Sequence, residues 1–175
     1  MPSLPNILIT GTPGVGKSTL ASSVSEALGF SHLNVSDLVK GNNLYSSYDD
    51  EMQTHILDDD LLIDHLEPLV APGGAVVDFH SPEVFPLRYF SLVLVLRTTT
   101  ATLFDRLQAR QYPTKKIEEN IQCEIMNVVY EEAVESYPDC DVVEVRSDEV
   151  EEMEGNVERV VEWLKRWKAD NGFTE

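Results

Sequence analysis

Asn6–Leu20, NILITGTPGVGKSTL, is the stretch whose reading decides the fold. Gly11, four intervening residues, then Gly16-Lys17-Ser18 match the spacing of a phosphate-binding loop. Glycines let the backbone close into a tight nest whose N–H groups point at phosphate oxygens. Lys17 is placed to reach the β- and γ-phosphates, and the Ser18 hydroxyl to hold Mg²⁺. The loop hands over to a helix N-terminus, whose unpaired N–H groups favour an anion. The alternative is a Gly-rich turn that binds nothing, and the flanks decide against it. Ile7-Leu8-Ile9 is a short apolar run suited to a strand buried on both faces. Leu20, Val24 and Leu28 recur every four residues, and Gly29 stands where a helix C-cap belongs.

The 175 residues form one domain, large enough to bury a core. A hydrophobic share of 42% and a charged share of 25% are ordinary for a globular protein, but a net charge of −18 is not. An acidic protein that binds phosphates does so by local nests and a few placed cations, because its overall field repels them. That field argues against direct binding to nucleic acid or anionic membranes, and suits either a basic protein partner or merely a well-solvated surface. Cys123 and Cys140 have no metal-site or disulfide spacing. No secretory leader and no apolar run near the ~20 residues of a membrane span is visible, so the expectation is a soluble intracellular chain.

Further along, the pattern predicts a weak strand over 30–35, a short helix from Ser36-Asp37, and a turn-rich exposed loop over 41–51. A helix follows over 56–69, then short strands at 75–78 and 92–96. A helix over 101–109, capped by one of Thr98 to Thr100, leads through a basic connection at 111–116 to one long amphipathic helix over 117–136. A last strand at 141–145 and a terminal helix complete the chain. Five apolar strands alternating with helices predict an α/β fold, a parallel sheet covered on both faces.

Asp78 ends the strand Ala75-Val76-Val77, where an acid either holds the metal's water shell or caps the next turn. His80, two residues on, is placed for the same cleft, although a single His is often structural. Before Arg88 the only cations are Lys17 and Lys40. Arg97 follows a strand, Arg106 and Arg110 lie four apart on one helix face, and Lys115 and Lys116 come next. This is the composition of a basic lid over a triphosphate, or of a solvated helix face. The guanine-reading Asn/Thr-Lys-x-Asp motif is missing; Trp167-Lys168-Ala169-Asp170 has the wrong first residue, which disfavours a GTPase.

The chain resembles the adenylate kinase isoenzyme 6 family, nuclear adenylate kinase-like ATPases associated with coilin and with small ribosomal subunit maturation. The similar segments, in order, are PNILITGTPGVGKST (5–19), NVSDL (34–38), VVDFH (76–80), VLRTTT (95–100), RLQAR (106–110) and ENIQCEIMNVVYEEA (119–133). The resemblance implies a P-loop NTPase fold with a five-stranded parallel core, an acceptor segment near 34–57 and a lid near 109–119. It implies ATP and Mg²⁺ as cofactors, with AMP and ADP as small-molecule substrates. It also implies a small-subunit ribosomal protein partner and residence in nucleus and cytoplasm; a monomer is expected. The ATP loop falls on Gly14, Gly16, Lys17, Ser18 and Thr19, the lid arginine on Arg110, and the second acidic motif on Asp78 with His80.

The expected set is therefore Lys17, Asp78, His80 and Arg110 for catalysis. Gly11, Gly14, Val15, Gly16, Lys17, Ser18, Thr19, Arg106 and Arg110 are expected for nucleotide binding, and Ser18 and Asp78 for the metal. At Ser147-Asp148-Glu149, where the resemblance places the adenine edge, the chain is acidic, which leaves backbone groups to hold the base. Ordinary adenylate kinases clamp the acceptor phosphate with arginines; residues 34–57 contain none, only Lys40. The expected activity is ATP + AMP to 2 ADP together with ATP hydrolysis. The alternatives are a nucleotide-gated assembly factor and a kinase for another small metabolite.

Overall fold

The computed structural model describes residues 3–173. Strand β1 (Ile7–Thr10) is buried throughout and forms the middle of a five-stranded sheet ordered β2-β5-β1-β6-β7. β2 is Ser31–Asn34, β5 Ala75–Asp78, β6 Leu92–Arg97 and β7 Asp141–Arg146, and every pairing among them is parallel. Parallel strands need crossovers, which the helices supply. α1 is Lys17–Leu28, α2 Val35–Gly41, α3 Asp59–Val70, α4 Thr100–Ala109, α5 Thr114–Ile125, α6 Val128–Ser136 and α7 Val150–Asp170. Successive strand residues point to opposite faces, so β1 feeds two cores. Ile7 and Ile9 pack with Leu20 and Val24 of α1, Leu103 and Leu107 of α4 and Val160 of α7. Leu8 packs on the other face with Val35 of α2, Leu62 and Leu66 of α3 and Val129 and Ala133 of α6. The doubly covered parallel sheet is the fold expected from the sequence. Among the described residues no helix is long and apolar enough to cross a membrane.

The local signals hold at the helix ends. Gly29 caps α1 with φ +70°, and Thr99 caps α4, its hydroxyl accepting from the Thr102 N–H at 3.3 Å. Three expectations fail. Residues 41–51 are not a loop throughout: β3 (Tyr45–Asp49) pairs antiparallel with β4 (Thr54–Leu57) in a separate two-stranded sheet. Two serines and an aspartate hide the strand signal in YSSYD, because most of the hairpin faces solvent and only Tyr45 and Leu57, paired at one end, pack against the core. The helix expected over 56–69 accordingly starts later, at Asp59, with Asp58 accepting from the Leu61 N–H at 3.1 Å. The helix expected over 117–136 is two helices, α5 and α6, broken at Asn127, whose φ is +56°. The break moves the chain from one face of the sheet to the other: Ile117 joins the α1 side, while Val129 and Ala133 join the α3 side. Ile125, which the expected helix would place mid-length, is 54% exposed at that corner.

Candidate functional site

The carboxyl ends of β1, β5 and β6 open on one edge of the sheet, the place where doubly wound folds bind ligands. Residues 11–16 leave β1 there and turn into α1. Gly11 and Gly14 have φ of +150° and +98°. A Cβ on Gly11 would stand 2.9 Å from the Leu96 carbonyl oxygen, and one on Gly14 2.9 Å from both Leu103 and Leu107. Only glycine fits at either position. The Val15 N–H donates to the Thr12 carbonyl at 3.3 Å, closing the loop. α1 has no capping side chain and no acid in its first turn. The N–H groups at 17–19 therefore keep no side-chain partner at the cap, as an anion site requires.

Lys17 stands at the base of this loop, its Nζ donating to the Thr12 carbonyl at 3.2 Å. Burial pulls its pKa down to about 8, Asp78 and Glu124 acting against that pull and Arg110 with it. A buried ammonium of this kind gains most when a phosphate arrives. Ser18 Oγ lies 3.4 Å from Asp78 Oδ1, so the hydroxyl and carboxylate expected for a hard cation are adjacent.

β2 adds two residues that sequence reading missed. His32 Nε2 is 2.5 Å from Asp78 Oδ2, and Asn34 Nδ2 donates to Ser18 Oγ at 2.9 Å. Register explains both, since Asn34 sits opposite Asp78 and His32, two residues earlier, shares its face. Their spacing on a predicted strand was the available signal.

His80 follows β5, tilted against Phe79 with ring centroids 4.3 Å apart. Burial, reinforced by Lys17 and Lys116, pushes its pKa from 6.5 down to about 4, so it is neutral at pH 7. It lines a cleft of about 740 Å³ with Lys17, Ser18, Asp78, Arg110 and Lys116. Residues of α2 and of the β3–β4 hairpin form the opposite wall.

A second cleft, about 980 Å³, is lined by Gly14, Gly16, Thr19, Arg106, Arg110, Asp148 and Met153. Arg110 borders both clefts and makes no ion pair among the described residues. The two lid-face arginines thus differ. Arg106 donates to backbone carbonyls of Gly14 at 3.4 Å, Ser147 at 2.9 Å and Asp148 at 3.2 Å, bracing the phosphate loop against the β7–α7 connection. Ser147 Oγ adds a bond to the Val15 carbonyl at 2.7 Å.

Arg97 is not part of a lid at all: it is paired under the loop with Glu124. Glu124 itself, 4% exposed, is a polar core residue that the sequence reading did not single out.

The fold and the loop define a P-loop enzyme of the nucleotide kinase/ATPase class. A family model described as "AAA domain" matches residues 7–127. The adenylate kinase isoenzyme 6 homolog of Caenorhabditis elegans is 46% identical, covering 95% of this chain and 93% of that protein. The homolog FAP7 of Saccharomyces cerevisiae is 47% identical, over 93% and 83% of the two chains. The chain belongs to the adenylate kinase isoenzyme 6 family. Among solved structures, shikimate kinase from Bacteroides thetaiotaomicron matches with a TM-score of 0.61 at 19% identity, covering 92% of this chain and 98% of that one. Shikimate kinase from Acinetobacter baumannii in complex with shikimate matches with a TM-score of 0.65 at 15% identity, over 94% and 95%. At those identities the likeness is one of fold.

Proposed function

We propose that the protein transfers the γ-phosphoryl group of ATP to AMP, giving 2 ADP, and hydrolyses ATP when water takes the acceptor's place. The observation that carries this is the donor cradle: an uncapped helix N-terminus with Lys17 buried at its base and Ser18 beside Asp78. Residues 11–19 bind the β- and γ-phosphates through N–H groups and Lys17, and the second cleft takes the adenine, with Arg106 holding its walls together. Ser18, with Asp78 acting through water, would hold a Mg²⁺ ion, which when bound neutralises charge shared between the two phosphates. His32 and Asn34 orient those two side chains. Lys17 and Arg110 meet the charge that spreads over the transferred group. His80, neutral at pH 7, offers a ring nitrogen to the attacking oxygen. The bond that breaks joins the γ-phosphorus to the ADP oxygen; the bond that forms joins it to an oxygen of AMP or of water.

The family relationship supports AMP as acceptor, and the absence of arginine from residues 34–57 supports competing hydrolysis, since a weakly clamped acceptor admits water. The second reading, a nucleotide-gated assembly factor for a basic small-subunit ribosomal protein in nucleus and cytoplasm, is favoured by the net charge of −18. Product analysis with Mg-ATP, alone and with AMP, separates the two. ADP appearing two for one with AMP, without free phosphate, supports the kinase. Phosphate released at one rate with or without AMP overturns it and puts the switch first.

A further inference from the structure

The phosphoryl-transfer scheme leaves one buried polar cluster unused. Arg97 Nε lies 2.5 Å from Glu124 Oε1, with side-chain exposures of 13% and 5%, and Arg97 Nη2 donates to the Glu124 carbonyl at 2.8 Å. Glu124 stands in the last turn of α5, where an acid opposes the helix dipole. Arg97 offsets that cost. It does not explain why an acid is there, since a buried ion pair is often no more stabilising than apolar residues of the same volume.

The second carboxylate oxygen supplies the reason. Glu124 Oε2 accepts from the Thr12 hydroxyl at 2.7 Å, across 112 positions of chain. Thr12 follows Gly11 and is 1% exposed. Its carbonyl receives both the Val15 N–H and Lys17 Nζ, so Glu124 grips the residue that closes the loop and seats the lysine. The first turn of the same helix reaches the other wall of the cleft: Lys116 Nζ donates to the Gln53 carbonyl at 3.2 Å and to Thr54 Oγ1 at 2.9 Å. One helix thus touches the phosphate loop at its carboxyl end and the β3–β4 hairpin near its amino end.

We propose that Glu124 is a positioning residue for phosphoryl transfer: its bond to Thr12 fixes the phosphate-binding loop against α5, so that loop shape and lid position are set together. The inference rests on the nucleotide reading above. Glu124 acts through Thr12 and Lys17 without touching the nucleotide.

Three variants test it. Thr12→Val removes the hydroxyl at nearly constant volume, and Thr12→Ser keeps it. Glu124→Met removes both accepting oxygens while keeping an unbranched side chain of similar length. Thr12→Val and Glu124→Met are each expected to lower kcat about ten-fold with the ATP KM nearly unchanged, as slight misplacement of reacting groups does. The double variant falls no further than Glu124→Met alone, because that change already removes the bond that Thr12→Val removes. Thr12→Ser recovers most of the turnover. Without nucleotide, the amides of residues 11, 12 and 14–16 exchange with solvent faster in Thr12→Val than in wild type, a readout that needs no reaction. If Glu124→Met does not fold, the Thr12 pair carries the test. Wild-type kcat and amide exchange in Thr12→Val overturn the proposal, as does a loss that Thr12→Ser fails to recover. A wild-type protein that does not bind Mg-ATP sinks the nucleotide reading instead, while amide exchange still reports whether Glu124 holds the loop.

Discussion

The two walls of the cleft are built in opposite ways. The donor wall is backbone: a glycine nest packed on Leu96, Leu103 and Leu107, with Thr12 and Val15 almost wholly buried and Arg106, Ser147 and Glu124 bonded around it. The acceptor wall is a polar hairpin with no buried residue in either strand. It is tied to the lid by Lys116 and by a Lys115–Glu51 pair at 2.8 Å whose side chains are 50% and 66% exposed. Exposed pairs of that kind contribute little. The difference teaches where each half of the chemistry is organised. On the reading proposed above, phosphates of the donor would meet groups already in place, whereas an acceptor would depend on contacts made across the cleft.

The hardest blow to that contrast is at the donor wall. Lys17→Ala should cost about 3 kcal/mol of transition-state stabilisation, more than a hundred-fold in kcat, for transfer and hydrolysis alike. Steady-state rates with and without AMP check this; a variant that lost only one of the two reactions would show that the cradle is not shared.

A smaller, one-sided effect is expected at the acceptor wall. Lys116→Met removes both bonds to the hairpin and should raise the KM for AMP several-fold, by analogy with loss of about 1 kcal/mol of hydrogen bonding. ATP hydrolysis in the absence of AMP should stay within about two-fold, since no donor-wall contact is lost. Equal losses in both reactions would mean that the hairpin also shapes the donor side.

The smallest effect is a titration. His80 should show its inflection near pH 4 when its ring proton resonances are followed, and Lys17→Ala should move it up toward 6.5 by removing a positive neighbour. The sign for stability follows from linkage. Between pH 6.5 and 4 the unfolded chain takes up a proton that folded His80 refuses, so this residue's contribution falls as pH drops through that window. An inflection near 6.5 in the wild type would show that His80 is not enclosed.

Much of the donor wall was legible in the sequence because its geometry is set by neighbours in the chain. Gly11, Gly16, Lys17 and Ser18 lie within eight positions, and an apolar run before them and a helical repeat after them fix what the loop joins. Arg97 shows the limit. It looked like one of a series of lid cations, but β6 ends beneath α5, and Glu124 takes it out of the solvent. The hairpin was missed for the opposite reason. A strand pair that meets the core only through Tyr45 and Leu57 carries no apolar alternation, and pattern reading depends on burial to leave its mark. The break at Asn127 was hidden because each of the two helices is amphipathic in its own right, and only the sheet's edge decides that they face different cores.

The sequence by itself determined the class of fold, the phosphate loop and the acid at the end of β5, since each depends on a few contiguous residues and on strand or helix periodicity. Tertiary structure alone decided that His32 and Asn34 flank Asp78 and Ser18, that Arg106 braces backbone while Arg110 faces both clefts, and that Glu124 holds Thr12. Those contacts join residues brought together by sheet register and by helix crossing, and a linear pattern records neither.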